Sequence, residues 1–162
     1  MNEINDLIRL SNELTYHRYL LNQGQARRLF KGITIPEYIA LQSISRSIHE
    51  KGAGAGRAYL KDIAEELCLS IAQTSKMMRK LRDKGLVLWA HDGNGSEGTY
   101  IAITESGIEL MKRQETLLKD YYGRVTESFG EKNMMALLRL MEQLEAVMEA
   151  ELNSGGGKTN GI

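Results

Sequence analysis

Cysteine, proline and large aromatic residues are all scarce in this chain of 162 residues, which has one Cys, one Pro, one Trp and two Phe. A single cysteine, Cys68, excludes an internal disulfide framework and a paired-thiolate zinc or redox site, and fits a reducing cytoplasm. Leu, Met, Glu, Lys and Ala are plentiful instead, which leans toward helix rather than toward a sandwich or barrel. Excess charge of either sign is missing too: 21 basic and 21 acidic residues leave a formal net charge of +0. Attraction to nucleic acid or to a membrane surface must then come from a local patch. No apolar run reaches the roughly 20 residues of a membrane span, and "MNEINDLIRL" lacks the basic start and apolar stretch of a secretory signal. A cytoplasmic protein with no membrane partner is expected. His17, His49 and His91 lie far apart and form no zinc spacing, so neither a metal nor another cofactor is expected.

What is present is helical periodicity. Ile4, Leu7, Leu10, Leu14, His17 and Leu21 recur every three or four residues and predict an amphipathic helix from residue 3 to about 29. Pro36 suits the first turn of a second helix entered at Thr34 or Ile35 and running to about His49. "HEKGAGAGRAY", residues 49–59, reads as a flexible loop; it lacks the strand, helix and Lys-Ser/Thr context of a phosphate cradle. Short helices are predicted over 60–67 and 71–84, separated by "CLS", with Ser70 as N-cap of the second. "LVLWAH" and "GTYIAI" flank the turn-forming "DGNGSEG" and predict a β-hairpin. Thr104 opens a fifth helix with Met111, Leu118, Tyr122, Val125 and Phe129 on its buried face. Past Gly130, Met134, Leu137, Met141, Leu144 and Met148 step along a last helix as a heptad-like seam. The tail "NSGGGKTNGI" has no apolar content to offset its ordering entropy.

Charge is concentrated in one place. "LSIAQTSKMMRKLRDKGLV", residues 69–87, holds Lys76, Arg79, Lys80, Arg82 and Lys84 against the single acid Asp83. Two helices joined by a tight turn and followed by a hairpin make a winged helix-turn-helix, whose second helix fits the DNA major groove. "YLKDIAEELCLSIAQTSKMMRKLRDKGLVLWAHDGNGSEGTYIAITESG", residues 59–107, resembles the MarR family of bacterial transcriptional regulators, without a gap from "IAEELCLS" through "KLRDKGLV" to "ITESG". With its flanking helices the resemblance spans about residues 4–150. It implies a mainly α fold with a small hairpin wing: an N-terminal dimerisation helix over 1–34, a DNA-binding domain over 35–107, C-terminal dimerisation helices over 108–152 and a disordered tail over 153–162.

On this reading Met77, Met78, Leu81 and Leu86 pack inward. Ala72, Gln73, Lys76, Arg79 and Lys80 face the groove, Gln73 suited to an adenine edge and Lys76 to guanine or phosphate. Ser70 and Thr74 are short enough to bond the DNA backbone. The family's wing usually carries an Asp followed by arginines; here Asp92 is followed by Ser96 and Glu97. Phosphate contacts would fall to His91, Asn94, Ser96 and backbone amides, or be lost. Cys68 stands where the family often has Gly, a position that favours a left-handed backbone, and is read as a small, semi-buried residue.

The resemblance also implies a pocket for a small aromatic or phenolic effector, with Tyr16, His17, Tyr19, Tyr38, Leu41 and Met111 as candidates; each taken singly reads rather as an ordinary interface or core residue. The stripe of Ile4, Leu7 and Leu14 and the seam of Met134, Leu137, Met141, Leu144 and Met148 exceed what one small domain can cover, and imply a homodimer reading a pseudo-palindrome in double-stranded DNA. A dimeric repressor released by an effector is the expected function. The alternative is a winged-helix protein-interaction module without DNA binding. No nucleophile elbow or apolar carboxylate pair points to an enzyme, since acids such as Glu65 and Glu66 fall on a helix surface.

Overall fold

A computed structural model of the chain describes residues 3–50, 58–91 and 99–155. Among these residues the order is α1 Glu3–Arg28, α2 Ile35–Glu50, β1 Ala58–Tyr59, α3 Leu60–Glu66, α4 Ile71–Asp83, β2 Val87–His91, β3 Thr99–Ile103, α5 Glu105–Phe129 and α6 Glu131–Gly155. The fold is mainly α with one small antiparallel sheet, ordered β1-β3-β2. Apart from the end of α6, helix ends fall within one or two residues of those expected, the ordinary scatter of frayed ends. Two compact units divide the chain, one up to Leu117 and one from Leu118 on, with α5 running through the division.

The first unit is built around α2. A reciprocal cap starts this helix: the Glu37 amide donates to the Thr34 hydroxyl at 3.3 Å and the Thr34 amide to the Glu37 carboxylate at 2.9 Å. Ala40, Leu41 and Ile44, one helical face, are buried, and α2 packs on α3, β1 and β3; Ile63 and Ala64 of α3, Met78 and Leu81 of α4, Val87 and Ile101 of the sheet and Met111 of α5 complete the buried set. The expected inward face of α4 is largely present, except that Met77 is only half-buried.

Two turns in this unit share one design. After α3, the Leu69 amide donates to Ala64 O at 2.9 Å and the Cys68 amide to Glu65 O at 3.1 Å; after α4, Leu86 donates to Leu81 O at 3.0 Å and Gly85 to Arg82 O at 2.8 Å. These are Schellman caps, whose pivot residue takes a left-handed backbone. Gly85 adopts φ 73 without a Cβ to clash, whereas Cys68 adopts φ 53 with one. Cys68 is exposed rather than semi-buried, as a residue at the pivot of a surface turn between two helices.

The β2–β3 ladder runs from Val87↔Ile103 to His91↔Thr99. β1, which falls where a loop is expected, pairs Ala58 with Ile101 and Tyr59 with Tyr100; two residues are too few to show an alternating pattern. Thr104 joins hairpin, turn and helix: its hydroxyl donates to Gly85 O at 2.7 Å and accepts from the Gly107 amide at 3.0 Å.

In the second unit Gly130, at φ 94, separates α5 from α6. Its amide closes α5 on Thr126 O at 2.8 Å and its carbonyl accepts the first α6 bond from Met134 at 3.0 Å. α6 continues to Gly155 and so takes in residues 153–155 of the expected disordered tail, because the helix-compatible "ELNS" extends its last turn. The remainder of that tail, the glycine-rich stretch 52–56 and the wing turn 92–98 lie outside the described residues.

Candidate nucleic-acid interface

The exposed side of the helix-turn-helix begins at a second capping box. The Gln73 amide donates to Ser70 Oγ at 3.1 Å, and the Ser70 amide donates to Gln73 Oε1 at 3.0 Å. From this start α4 divides into two faces. Thr74, Met78 and Leu81 are fully buried, while Ala72, Gln73, Lys76, Arg79 and Lys80 are exposed.

The five cations of this segment also divide. Lys84 donates to the Glu37 carboxylate at 3.1 Å and to Gly32 O at 3.0 Å. Arg82 pairs with Asp83 at 3.3 Å and lies 6.0 Å from the centre of the Trp89 ring. Lys76, Arg79 and Lys80 form no ion pair among the described residues; Arg79 reaches only the Ser75 hydroxyl, at 3.1 Å. Three like charges at i, i+3 and i+4 on one helix face repel one another, a cost that a phosphate backbone would relieve.

Several expected contacts need correction. Thr74 is fully buried, with its hydroxyl donated to Ser70 O at 2.9 Å, so it cannot reach a DNA phosphate; it serves the helix start instead. Gln73 has Oε1 engaged in the cap, and bidentate pairing with adenine needs both ends of the amide, so the cap must open first. Ser70 keeps a hydroxyl proton to donate. Sequence spacing does not single out Ile71: 52% exposed at the first turn of α4, it offers apolar contact suited to a thymine methyl. Its place three residues ahead of Thr74 makes it look like part of the buried stripe. His91 ends β2 opposite Thr99, and Asn94 and Ser96 lie outside the described residues.

The expected effector residues do not come together. Tyr38 and Leu41 are core residues: Leu41 is fully buried, and the Tyr38 ring packs 5.5 Å from Phe30. Burial, and then the nearby Glu115 carboxylate, raise the Tyr38 hydroxyl above the usual tyrosine pKa. Tyr16, His17 and Tyr19 are exposed along α1. Met111 alone lines a cleft of about 620 Å³ between α2 and α5, together with Gln42, Ser45, Arg46, Ile108, Lys112 and Glu115. Arg46 and Lys112 against Glu115 leave a net positive lining.

The candidate dimer residues are open where they can be described. Leu7 and Leu14 on α1 are 65% and 40% exposed. Met134 is half-buried, and Leu137, Met141, Leu144 and Met148 are exposed on α6, which has no buried residue. Apolar faces of this extent mark interaction surfaces. No helix among the described residues is long and apolar enough to cross a membrane, and none of their His, Cys, Asp and Glu side chains cluster to hold a metal.

No family model matches the chain. The homoprotocatechuate degradative operon repressor of Escherichia coli is 26% identical to it over 86 residues, 53% of this chain; the chain spans 58% of the length of that relative. Among solved structures, a cysteine-to-serine mutant of MarR from Escherichia coli complexed with operator DNA superposes with a TM-score of 0.64 at 19% identity, covering 88% of this chain and 96% of that one. BpsR of Bordetella bronchiseptica, whose DNA binding is regulated by 6-hydroxynicotinic acid, gives 0.65 at 12% identity, covering 84% and 98%. The chain has the winged-helix fold of the MarR-type regulators.

Proposed function

We propose that this chain is a DNA-binding transcriptional regulator, a dimeric repressor that lays α4 in the major groove of a pseudo-palindromic operator and leaves it when a small aromatic anion occupies the α2–α5 cleft. The observation that carries the reading is the division of the basic segment: Lys76, Arg79 and Lys80 stand together without an ionic partner among the described residues, on a helix whose opposite face is locked into the core. Phosphates supply the opposite charge, and the N-terminal turn of α4, with Ser70, Ile71, Ala72 and Gln73, supplies the short and apolar groups that read base edges.

Dimerisation gives the exposed stripes of α1 and α6 a partner and sets two recognition helices about one helical turn of DNA, or about 34 Å, apart. The cleft has the size of a small-molecule site and the charge for an anion. The homoprotocatechuate repressor and BpsR each carry a hydroxylated aromatic acid in their names or regulation, which supports that ligand class. No catalytic step belongs to this reading.

Selection from a pool of random duplexes tests it. A repressor of this kind enriches an inverted repeat, and 6-hydroxynicotinate or homoprotocatechuate weakens the complex. A chain that enriches nothing even at about 50 mM salt, where phosphate contacts are strongest, is a protein-interaction module instead.

A further inference from the structure

Arg46 belongs to two sites at once. Its Nη2 donates to Glu66 Oε1 at 3.1 Å, while the second oxygen of Glu66 accepts the Ser43 hydroxyl. Glu66 is the last residue of α3, one residue before the cap that turns the chain into α4. The Ser43–Arg46–Glu66 clasp therefore ties α2 to the end of the first helix of the helix-turn-helix. The same Arg46 also lines the cleft, beside Lys112, Gln42 and the apolar floor of Met111 and Ile108. One arginine thus pairs with a carboxylate at the end of α3 and lines a cavity suited to a carboxylate from outside. Arg46 and Glu66 are 55% and 38% exposed, so their pair is weak enough for a ligand to exchange.

We infer that Arg46 is the coupling residue of the regulator: a carboxylate bound in the cleft competes with Glu66 for Arg46, and the loss of that pair loosens α3 and with it the seating of α4 on DNA. This rests on the effector reading above and states how the cleft would speak to the helix-turn-helix. Linkage fixes the sign in both directions. If Glu66 holds Arg46 against the ligand, removing the Glu66 charge must tighten ligand binding, whereas damage to a merely structural contact would weaken it or leave it alone.

The test uses the full-length protein and Glu66→Gln, whose amide oxygen keeps an acceptor for Ser43. Calorimetry without DNA measures the affinity for 6-hydroxynicotinate and for 2-pyridone, the same ring without a carboxylate. The expected result is about threefold tighter binding of 6-hydroxynicotinate by Glu66→Gln, the range of a partly exposed ion pair, with no change for 2-pyridone. In the DNA assay the variant should bind the selected operator about threefold more weakly, and 6-hydroxynicotinate should no longer release it. Equal 6-hydroxynicotinate affinity in the two proteins overturns the coupling and leaves the effector reading standing. Binding of 6-hydroxynicotinate by neither protein at millimolar concentration overturns both. Failure of the wild-type protein to bind DNA overturns the regulator reading, while calorimetry still decides the competition for Arg46.

Discussion

One oxygen of the Glu37 carboxylate holds the Lys84 ammonium at 3.1 Å and the Thr34 amide at 2.9 Å, joining the start of α2 to the end of α4. The Glu37 side chain is 6% exposed and that of Lys84 41%, so the acid sits within the fold while the lysine reaches in from its edge. Glu37→Ala leaves the Thr34 amide without its acceptor, leaves Lys84 only the Gly32 carbonyl, and removes a capping group. The expected loss is about 2 kcal/mol in denaturant unfolding, the cap and the charged hydrogen bond together. Glu37→Gln, which keeps an acceptor, should cost about half as much. An unchanged midpoint for Glu37→Ala would show that the pair contributes nothing.

Gly107 is required by packing. A Cβ there would lie 2.3 Å from Leu86 O and 2.6 Å from Ile103 Cγ1, so Gly107→Ala must push α5 off the hairpin. A loss of roughly 2–3 kcal/mol follows for such overpacking, read as a lower melting temperature. At Cys68 the strain comes from backbone conformation. Cys68→Gly relieves a side chain at φ 53 and should add about 1 kcal/mol, whereas Cys68→Ala, still carrying a Cβ, should add little. Equal gains from both substitutions would assign the effect to the thiol and not to the backbone.

Alkaline pH should weaken the first unit through Tyr38. Burial, reinforced by Glu115, raises the folded-state pKa of its hydroxyl. A group whose folded pKa is raised contributes stability that is present below its unfolded pKa, about 10 for tyrosine, and lost as pH rises through the folded value. Stability measured at about pH 8 and about pH 11 should therefore fall more for wild type than for Tyr38→Phe. Identical falls would place the titrating group elsewhere.

Self-association should depend on the α6 seam. Met141 and Leu144 are 49% and 39% exposed, and a carboxylate at each would need desolvation in any apolar interface. Met141→Glu with Leu144→Glu should shift sedimentation from dimer toward monomer while helix content measured by circular dichroism is kept. A dimer of undiminished affinity would remove this seam from the interface.

Much of the fold was legible because it is written in local pattern. The Ser70 cap, the buried spacing of Met78 and Leu81, and the β-branched runs beside "DGNGSEG" each specify their element without help from distant residues. The site was less legible where tertiary partners decide. Nothing near Lys84 in sequence shows that Glu37, 47 positions away, engages it, whereas the partner of Arg82, Asp83, stands next to it. Tyr38 and Leu41 look like effector residues by chemistry and prove to be core because α2 runs through the middle of its unit. Thr74 and Gln73 could have been assigned to the helix start from the Ser-x-x-Gln spacing alone, since that spacing is itself a capping signature.

The division of the basic segment gives the most direct measurement, the salt dependence of operator binding. If Lys76, Arg79 and Lys80 of two chains contact phosphates, log K should fall against log salt with a slope of about −5. Lys76→Ala with Arg79→Ala removes four of those six contacts and should reduce the slope's magnitude by about 3.6, while Arg82→Ala should leave it unchanged. A slope unaffected by the double substitution, or reduced as much by Arg82→Ala, would contradict the assignment of this face to DNA.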